Sequence, residues 1–173
     1  PHEPKFAMRV DNQFSSQIMP IQQIIEIEPD EVDSHSVTGL TKLKTLNFRQ
    51  NLKLETIDTS EQTTLERITF DKKNQLRSLK ANGCFSLSEI DFDQDFTLQS
   101  PIELEEFSTK DCRKLKIVNL NNSTKLKHID CSNCFSLEEL YLDGAAGLGT
   151  LNLSMCTNLE DTKLHLPKNL DFL

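Results

Sequence analysis

Leucine recurs at every eleventh position over most of this chain. The first series comprises Leu43, Leu54, Leu65, Leu76, Leu87 and Leu98. After one shift, the second series comprises Leu104, Leu115, Leu126, Leu137, Leu148 and Leu159. A spacing kept this strictly indicates internal repeats, each of which is a small unit that cannot bury its apolar side alone. The sequence therefore predicts a solenoid, in which the units stack and share one core.

A second apolar place, three residues after each leading leucine, predicts a short strand in every unit. The residues at this place are Leu46, Ile57, Ile68, Leu79, Ile90, Phe107, Val118, Ile129, Leu140 and Leu151. Because alternate side chains of a strand point to the same side, the third and fifth places after the leucine should face inward together. The residues between them should face outward.

The units alternate between two kinds, so the true period is two units, or twice the eleven-residue spacing. We call those that begin at Leu43, Leu65, Leu87, Leu115, Leu137 and Leu159 the odd units, and those that begin at Leu54, Leu76, Leu104, Leu126 and Leu148 the even units. At the fifth place the odd units carry Phe48, Phe70, Phe92, Leu120, Leu142 and Leu164, whereas the even units carry Thr59, Ala81, Thr109, Cys131 and Leu153. One odd and one even unit make a coil. We therefore expect two parallel sheets that face each other across a thin core.

The even units carry the residues of a known repeat signature. Leu126-x-x-Ile129-x-Cys131-x-x-Cys134 and its equivalent one full period later, which ends at Cys156, resemble the leucine-rich repeat. The nested 11+11 pattern is similar to the irregular bacterial type found in BspA-like and internalin-like surface proteins, and the resemblance covers about residues 40–170. It implies a right-handed coil. Ordinary repeats of the family have a helix or turn in their second half, but both halves here have the pattern of strands, so the predicted fold is mainly β.

Two regions depart from the rhythm and set the predicted domain boundaries. Residues 1–36 are expected to form an N-terminal cap, although Ile21 and Val32 keep the 11-residue phase and are compatible with degenerate coils. Residues 37–173 form the predicted solenoid. Six extra residues near 95–103 place Pro101 at an inward strand position, which predicts a bulged corner loop because proline cannot donate a ladder hydrogen bond. Leu166-Pro167 breaks the pattern again, and we expect the natural chain to continue.

The charge balance excludes several classes of partner. A net charge of −8 argues against nucleic acid and against an anionic membrane surface.

The four histidines are scattered, the five glycines form no phosphate-binding loop, and no apolar run has the length of a membrane span. We therefore expect no cofactor, no membrane insertion and no enzymatic activity.

Five cysteines cannot form a closed disulfide framework. Four of them, Cys84, Cys112, Cys134 and Cys156, stand eight places after the leading leucine of even units, and we call them the cysteine ladder. The spacing Cys131-Ser-Asn-Cys134 is also that of a redox motif or half of a zinc site, but the chain has no second ligand pair. We predict buried, reduced, structural thiols, with metal or redox work as the alternative.

A short acidic run suggests a metal site only weakly. Asp91-Phe-Asp93-Gln-Asp95 resembles the start of a calcium loop, but it lacks the glycine and glutamate that such a loop requires. A solvated acidic face is the favoured interpretation, and a weak calcium site aided by Glu103 is the alternative.

Function should lie in the outward residues of one sheet. The candidate face of the odd units comprises Arg67, Glu89, Asp91, Asp93, Ile117, Asn119, Glu139, Tyr141 and Asp143, and that of the even units comprises Lys80, Asn82, Glu106, Lys110, His128, Asp130 and Asn152. Tyrosine and arginine are common interface anchors and favour the odd face. The family resemblance favours the even face, because the even units are the ones that carry the cysteine ladder.

The predicted function is a non-enzymatic recognition module in a bacterial surface or secreted protein. Its partner is expected to be a protein, with a glycan as the second class. The alternatives are a structural spacer within a larger surface protein and the recognition half of a larger effector enzyme.

Overall fold

The computed structural model describes residues 24–26, 34–36, 43–49, 52–71, 75–92 and 103–167. Every unit in these ranges contributes one short strand. The strands are β1 (Ile24–Glu26), β2 (Ser34–Ser36), β3 (Thr45–Phe48), β4 (Thr56–Asp58), β5 (Arg67–Phe70), β6 (Ser78–Lys80), β7 (Glu89–Asp91), β8 (Glu106–Ser108), β9 (Ile117–Asn119), β10 (His128–Asp130), β11 (Glu139–Tyr141), β12 (Thr150–Asn152) and β13 (Leu164–His165), with a 3₁₀ helix at Asp161–Lys163.

All strand pairs are parallel, and each strand pairs with the strand one coil away. The strands of the even units form one six-stranded sheet in the order β2-β4-β6-β8-β10-β12. The strands of the odd units form a four-stranded sheet, β1-β3-β5-β7, and a three-stranded sheet, β9-β11-β13. The chain is thus a mainly β solenoid of stacked parallel strands, which confirms the predicted fold class.

The six extra residues affect the two sides of the solenoid differently. On the even side, β6 and β8 stay paired, with Leu79 beside Phe107, although the extra residues lie between these strands in the sequence. On the odd side, β7 and β9 belong to different sheets. Most of the predicted corner loop, including Pro101, lies outside the described residues.

Two strands lie inside the segment that the sequence predicts as a cap. β1 pairs with β3 and places Ile25 beside Leu46, whereas β2 pairs with β4 and places His35 beside Ile57. The second offset equals one full period of the repeat, and the first is one residue shorter. The rest of the predicted cap and residues 168–173 lie outside the described residues.

Strands β4, β6 and β8 to β12 are each followed by two successive turns that lead into the next unit. In a typical even unit, Cys84 N–H donates to Ala81 O (3.4 Å) and Leu87 N–H donates to Cys84 O (3.0 Å). The residue seven places after the leading leucine is left-handed, with φ between 61° and 80°, at Glu61, Gly83, Asp111, Asn122, Asn133, Gly144 and Met155. Glycine, asparagine and aspartate adopt this conformation at low cost, so the sequence favours a sharp corner at most of these places.

The core is one continuous cluster of inward residues from both sides. On the odd side, Phe48, Phe70 and Phe92 form a stack with ring centroids 5.4 and 5.1 Å apart. The sizes of the core residues at the fifth and eighth places of a unit compensate for each other. In odd units Leu120 precedes a fully buried serine at the eighth place, whereas in even units the small Ala81 precedes Cys84. Burying each such leucine or phenylalanine contributes roughly 1.5–3 kcal/mol, so the repeated core residues dominate the folding free energy.

Candidate recognition surface

The even sheet carries a shallow concavity of about 320 Å³ over its last three strands, β8, β10 and β12. The residues on either side of an inward residue point outward in a strand, so each strand contributes its first and third side chains to the lining. These are Glu106 and Ser108, His128 and Asp130, and Thr150 and Asn152. Phe107, Ile129 and Leu151 form the floor.

Hydrogen bonds hold several of these polar side chains in place. His128 Nδ1 lies 2.8 Å from Thr150 Oγ1 across neighbouring strands. Glu106 accepts a hydrogen bond from Ser78 Oγ (3.1 Å) and pairs with Lys80 Nζ (3.2 Å). Because two residues anchor the Glu106 carboxylate, it is presented to a ligand with little further ordering.

In β10 and β12 the third residue of the strand also caps the turn that follows. Asp130 Oδ1 accepts from Ser132 N–H (2.9 Å), and Asn152 Oδ1 accepts from Ser154 N–H (3.1 Å) and from Ser154 Oγ (2.6 Å). This side-chain-to-backbone bond two residues on is the usual preference of Asp and Asn at turns. The second oxygen of Asp130 and the amide nitrogen of Asn152 are the atoms that a ligand in the concavity would meet.

Three predicted residues of the even face lie beside the concavity and do not line it. Lys80 forms the ion pair with Glu106, and Asn82 Oδ1 accepts from Ser108 Oγ (2.7 Å) and from Lys110 N–H (3.0 Å). The lining therefore includes Glu106, His128, Asp130 and Asn152 from the predicted face. Ser108 and Thr150 also line the concavity, and their outward strand places identify them in the sequence as residues of the even face.

On the first odd sheet, the predicted face residues bind one another. Arg67 pairs with Glu89 (2.8 Å) and with Asp91 (3.6 Å), and Arg49 adds a second contact to Asp91 (2.9 Å). Asp93 lies outside the described residues. Glu103, the other residue of the alternative calcium site, pairs with Lys125. Across the described ranges, no group of three or more His, Cys, Asp or Glu side chains is arranged to hold a metal ion.

On the second odd sheet, Tyr141 contacts two of its neighbours and is half-buried. Its hydroxyl donates to Glu139 Oε2 (2.6 Å), which raises the pKa of Tyr141, and its ring stacks on the imidazole of His165 with centroids 4.6 Å apart. Ile117 is 46% exposed. Beside them, Asn119 Oδ1 accepts a hydrogen bond from a backbone N–H of the turn that follows, and Asp143 is exposed.

Because β7 and β9 are in different sheets, the predicted odd-face residues are split into two groups. Arg67, Glu89 and Asp91 belong to the first sheet or its immediate edge, and the residues from Ile117 to Asp143 belong to the second. The even face has no such division.

The cysteine ladder lies on the inner side of the even units. Each thiol donates to a backbone carbonyl of the preceding coil: Cys84 to Thr59 O (3.1 Å), Cys112 to Ala81 O (3.0 Å), Cys134 to Thr109 O (3.1 Å) and Cys156 to Cys131 O (3.0 Å). All five cysteines are free thiols, and all but the half-buried Cys156 are buried.

Burial keeps most of these thiols protonated. It raises the pKa of Cys84 to about 11 and that of Cys156 to about 11, and it raises the pKa of Cys112 further. A hydrogen bond with Cys134, together with burial, raises the pKa of Cys131, and the same bond lowers the pKa of Cys134. Since the thiolate is the nucleophile and the metal ligand, four of the five sites favour the unreactive form.

No family model and no curated protein matches this sequence. In the part of the chain that the structure describes, no helix is long and apolar enough to cross a membrane.

Proposed function

We propose that this chain is an irregular leucine-rich-repeat module of the nested 11+11 type, and that it binds a protein partner through the concavity of the even sheet without catalysing a reaction. The observation that carries the proposal is the combination of an unbroken six-stranded sheet and a polar concavity on it. Solenoids present such outward residues as an ordered array, one pair for each coil.

The lining residues fit a polar, extended ligand. Glu106 and Asp130 supply carboxylate acceptors, and Asn152 and Ser108 supply groups that can donate or accept. Neighbouring strands are about 4.8 Å apart, so successive pairs could contact successive groups of a peptide laid across the strands. A glycan offers similar hydroxyl chemistry and is the second class of partner.

The contacts on the odd side support the even face as the binding side. Arg67 and Asp91 are paired with each other, and the Tyr141 hydroxyl is bonded to Glu139, so binding there would break existing contacts before making new ones. His128 and Glu106 also have partners, Thr150 for the first and Ser78 and Lys80 for the second, but these contacts orient side chains that line one open concavity. The resemblance to bacterial surface proteins supports a secreted or surface location.

Panning a displayed random-peptide library and probing a glycan array would test this proposal. We would compare the wild-type chain with a concavity variant, His128→Ala/Asp130→Ala, and with a matched odd-face variant, Glu139→Ala/Tyr141→Ala. Circular dichroism would first show that all three chains fold. Ligands selected on the wild type should lose at least about tenfold in affinity on the concavity variant and should bind the odd-face variant normally.

Two outcomes would contradict the proposal. Equal affinity for the wild type and the concavity variant would show that the even concavity does not bind. If neither the library nor the array yields a specific ligand, the structural spacer becomes the better interpretation. Rows of ion pairs between coils, such as Lys44–Glu66 (2.9 Å) and Lys116–Glu138 (3.1 Å), would also suit a spacer.

A further inference from the structure

A cationic and aromatic patch lies at the corner that follows the even strands. Phe85, Arg113 and Phe135 occupy the same place, nine residues after the leading leucine, in three successive even units. The middle unit adds Lys110 and Lys114 on either side of Arg113. We call these five residues the even corner patch.

The aromatic part of the patch is open to solvent. Phe85 is 40% exposed, although it is one of the largest apolar side chains of the corner. The guanidinium carbon of Arg113 lies 4.7 Å from the centroid of the Phe85 ring, which is a cation–π contact. Phe135 holds the equivalent place on the other side of Arg113 and is half-buried. Arginine and aromatic side chains, phenylalanine among them, are enriched in the cores of protein interfaces.

The cations of the patch are not neutralised by their neighbours. Lys110, Arg113 and Lys114 are exposed, and none of them forms an ion pair with a residue in the described ranges. The acidic residues of this corner are Asp111, whose carboxylate accepts from Asn133 Nδ2 (2.9 Å), and Glu61 two coils away. The patch is therefore locally positive in a chain whose net charge is −8.

We infer that the even corner patch is a docking surface for an acidic protein segment that carries an aromatic or aliphatic side chain. Carboxylates of the segment would pair with Arg113 and Lys114, and its apolar side chain would cover the exposed face of Phe85. Arg113 can pair with a carboxylate through its edge while its flat face stays on the phenyl ring. None of these five residues lines the concavity, so the inference does not depend on the proposed function.

The charge of the whole molecule favours a short acidic segment over other anions. A nucleic acid or an anionic bilayer is a large polyanion that would face much of this acidic molecule, and the net charge of −8 opposes its approach. A short segment contacts only the corner. Its attraction to the three cations is therefore opposed by few nearby carboxylates.

Fluorescence anisotropy with a fluorescein-labelled peptide of repeated Glu-Glu-Phe tests the inference on the full chain. The wild type should bind this peptide saturably, and high salt should weaken the binding. Arg113→Glu/Lys114→Glu should lower the affinity at least about tenfold. The control Lys53→Glu/Lys125→Glu makes the same change in net charge outside the patch, and its affinity should stay within about twofold of the wild type.

Phe85→Ala and a poly-glutamate peptide of equal length separate the apolar contact from the charges. Both changes should weaken binding by about threefold to tenfold, because each removes one side of that contact. Equal loss in the two charge-reversal variants, no saturable binding by the wild type, or undiminished binding of poly-glutamate would overturn the inference. Tighter binding of a single-stranded oligonucleotide or of phosphatidylserine vesicles would overturn it as well. The concavity variant His128→Ala/Asp130→Ala should bind the peptide normally, so failure of one proposal can be told from failure of the other.

Discussion

The two sides of each coil solve the same packing problem with different residues. The odd side fills its core with a stack of phenylalanines followed by leucines, and its strands fall into two sheets. The even side uses small residues and thiols, and its six strands form one sheet even where six extra residues enter the chain. The side with the smaller core residues is the one that stays continuous.

The outward faces of the two sides also differ, in how their side chains are engaged. On the odd side, arginines and acids bind one another across coils, and Tyr141 is held by Glu139 and His165. On the even side, the polar residues of the last three strands surround an open concavity. The difference suggests that the odd side mainly stabilises the solenoid, whereas the even side leaves side chains available for a partner.

The largest expected effect of a single substitution is on the odd core. Phe70 lies between Phe48 and Phe92 and is fully buried, so Phe70→Ala should lower the free energy of unfolding by about 3–5 kcal/mol. Phe70→Leu is the matched control, because leucine holds the equivalent place at Leu120. It should lose less than half as much stability as Phe70→Ala. Urea unfolding monitored by circular dichroism measures both. A loss below about 1 kcal/mol for the alanine variant would show that the stack is not the main odd-side contact.

The even core should instead be sensitive to enlargement. Ala81 is fully buried, and its carbonyl accepts the hydrogen bond from Cys112, so Ala81→Leu should destabilise the fold by about 1–3 kcal/mol through overpacking. Ala146→Leu, at an exposed corner of a later unit, makes the same chemical change without burial and should have little effect. If urea unfolding shows equal midpoints for the two variants, the even core is not closely packed.

The repeat explains why this much could be predicted from the sequence. Strict spacing identified the inward places, so the strands of the repeat, their division into an odd and an even side, and the burial of Leu79 and Cys84 could be predicted by counting. The break of the odd side into two sheets could not. The left-handed corner residues could also have been predicted, since Gly83 and Asn133 both stand seven places after a leading leucine. Our prediction from the repeat, however, covered only the residues of the strands and the core.

The surface could be predicted less well, for a physical reason. Outward places were identified, but which outward side chains bind each other depends on side-chain reach across coils, as for Tyr141 with Glu139 and His165. The concavity was not predicted, because the residue spacing gives the order of the outward side chains and not the shape of the space that they line. The exposed Phe85 also escaped prediction, because the repeat assigns no role to the place nine residues after the leading leucine.

Alkaline pH should distinguish the thiol-lined even side from the odd side. The pKa of Cys84 rises from an ordinary value near 9 to about 11 in the folded chain. Its contribution to stability is therefore fully present below about pH 9 and is lost as the pH rises to about 11, because the unfolded state ionises first. The melting temperature should fall over this window, and Cys84→Ala should make the fall smaller. An identical pH profile for this variant would contradict the assignment.

The smallest effect is expected from one row of charges on the even side. Just after the leading leucines, Glu55, Arg77, Glu105 and Lys127 alternate in sign along successive coils. Lys127 Nζ lies 2.7 Å from Glu105, and Arg77 approaches both glutamates at 3.8 and 3.9 Å. Glu105→Lys would place three cations in a row, so it should lower the melting temperature slightly at low salt, and added salt should remove the difference because exposed charges are screened.

The acid side of the pH profile then tests whether Glu105 itself contributes. The hydrogen bond from Lys127 lowers the pKa of Glu105. Its contribution should therefore be present above its ordinary pKa and be lost as the pH falls toward the lowered value. Glu105→Gln removes the charge but keeps the shape, so it should lie between the wild type and Glu105→Lys at neutral pH and should converge with the wild type in acid. If the glutamine variant matches the wild type at every pH, the row of charges does not stabilise the coils, and the even side depends on its core alone.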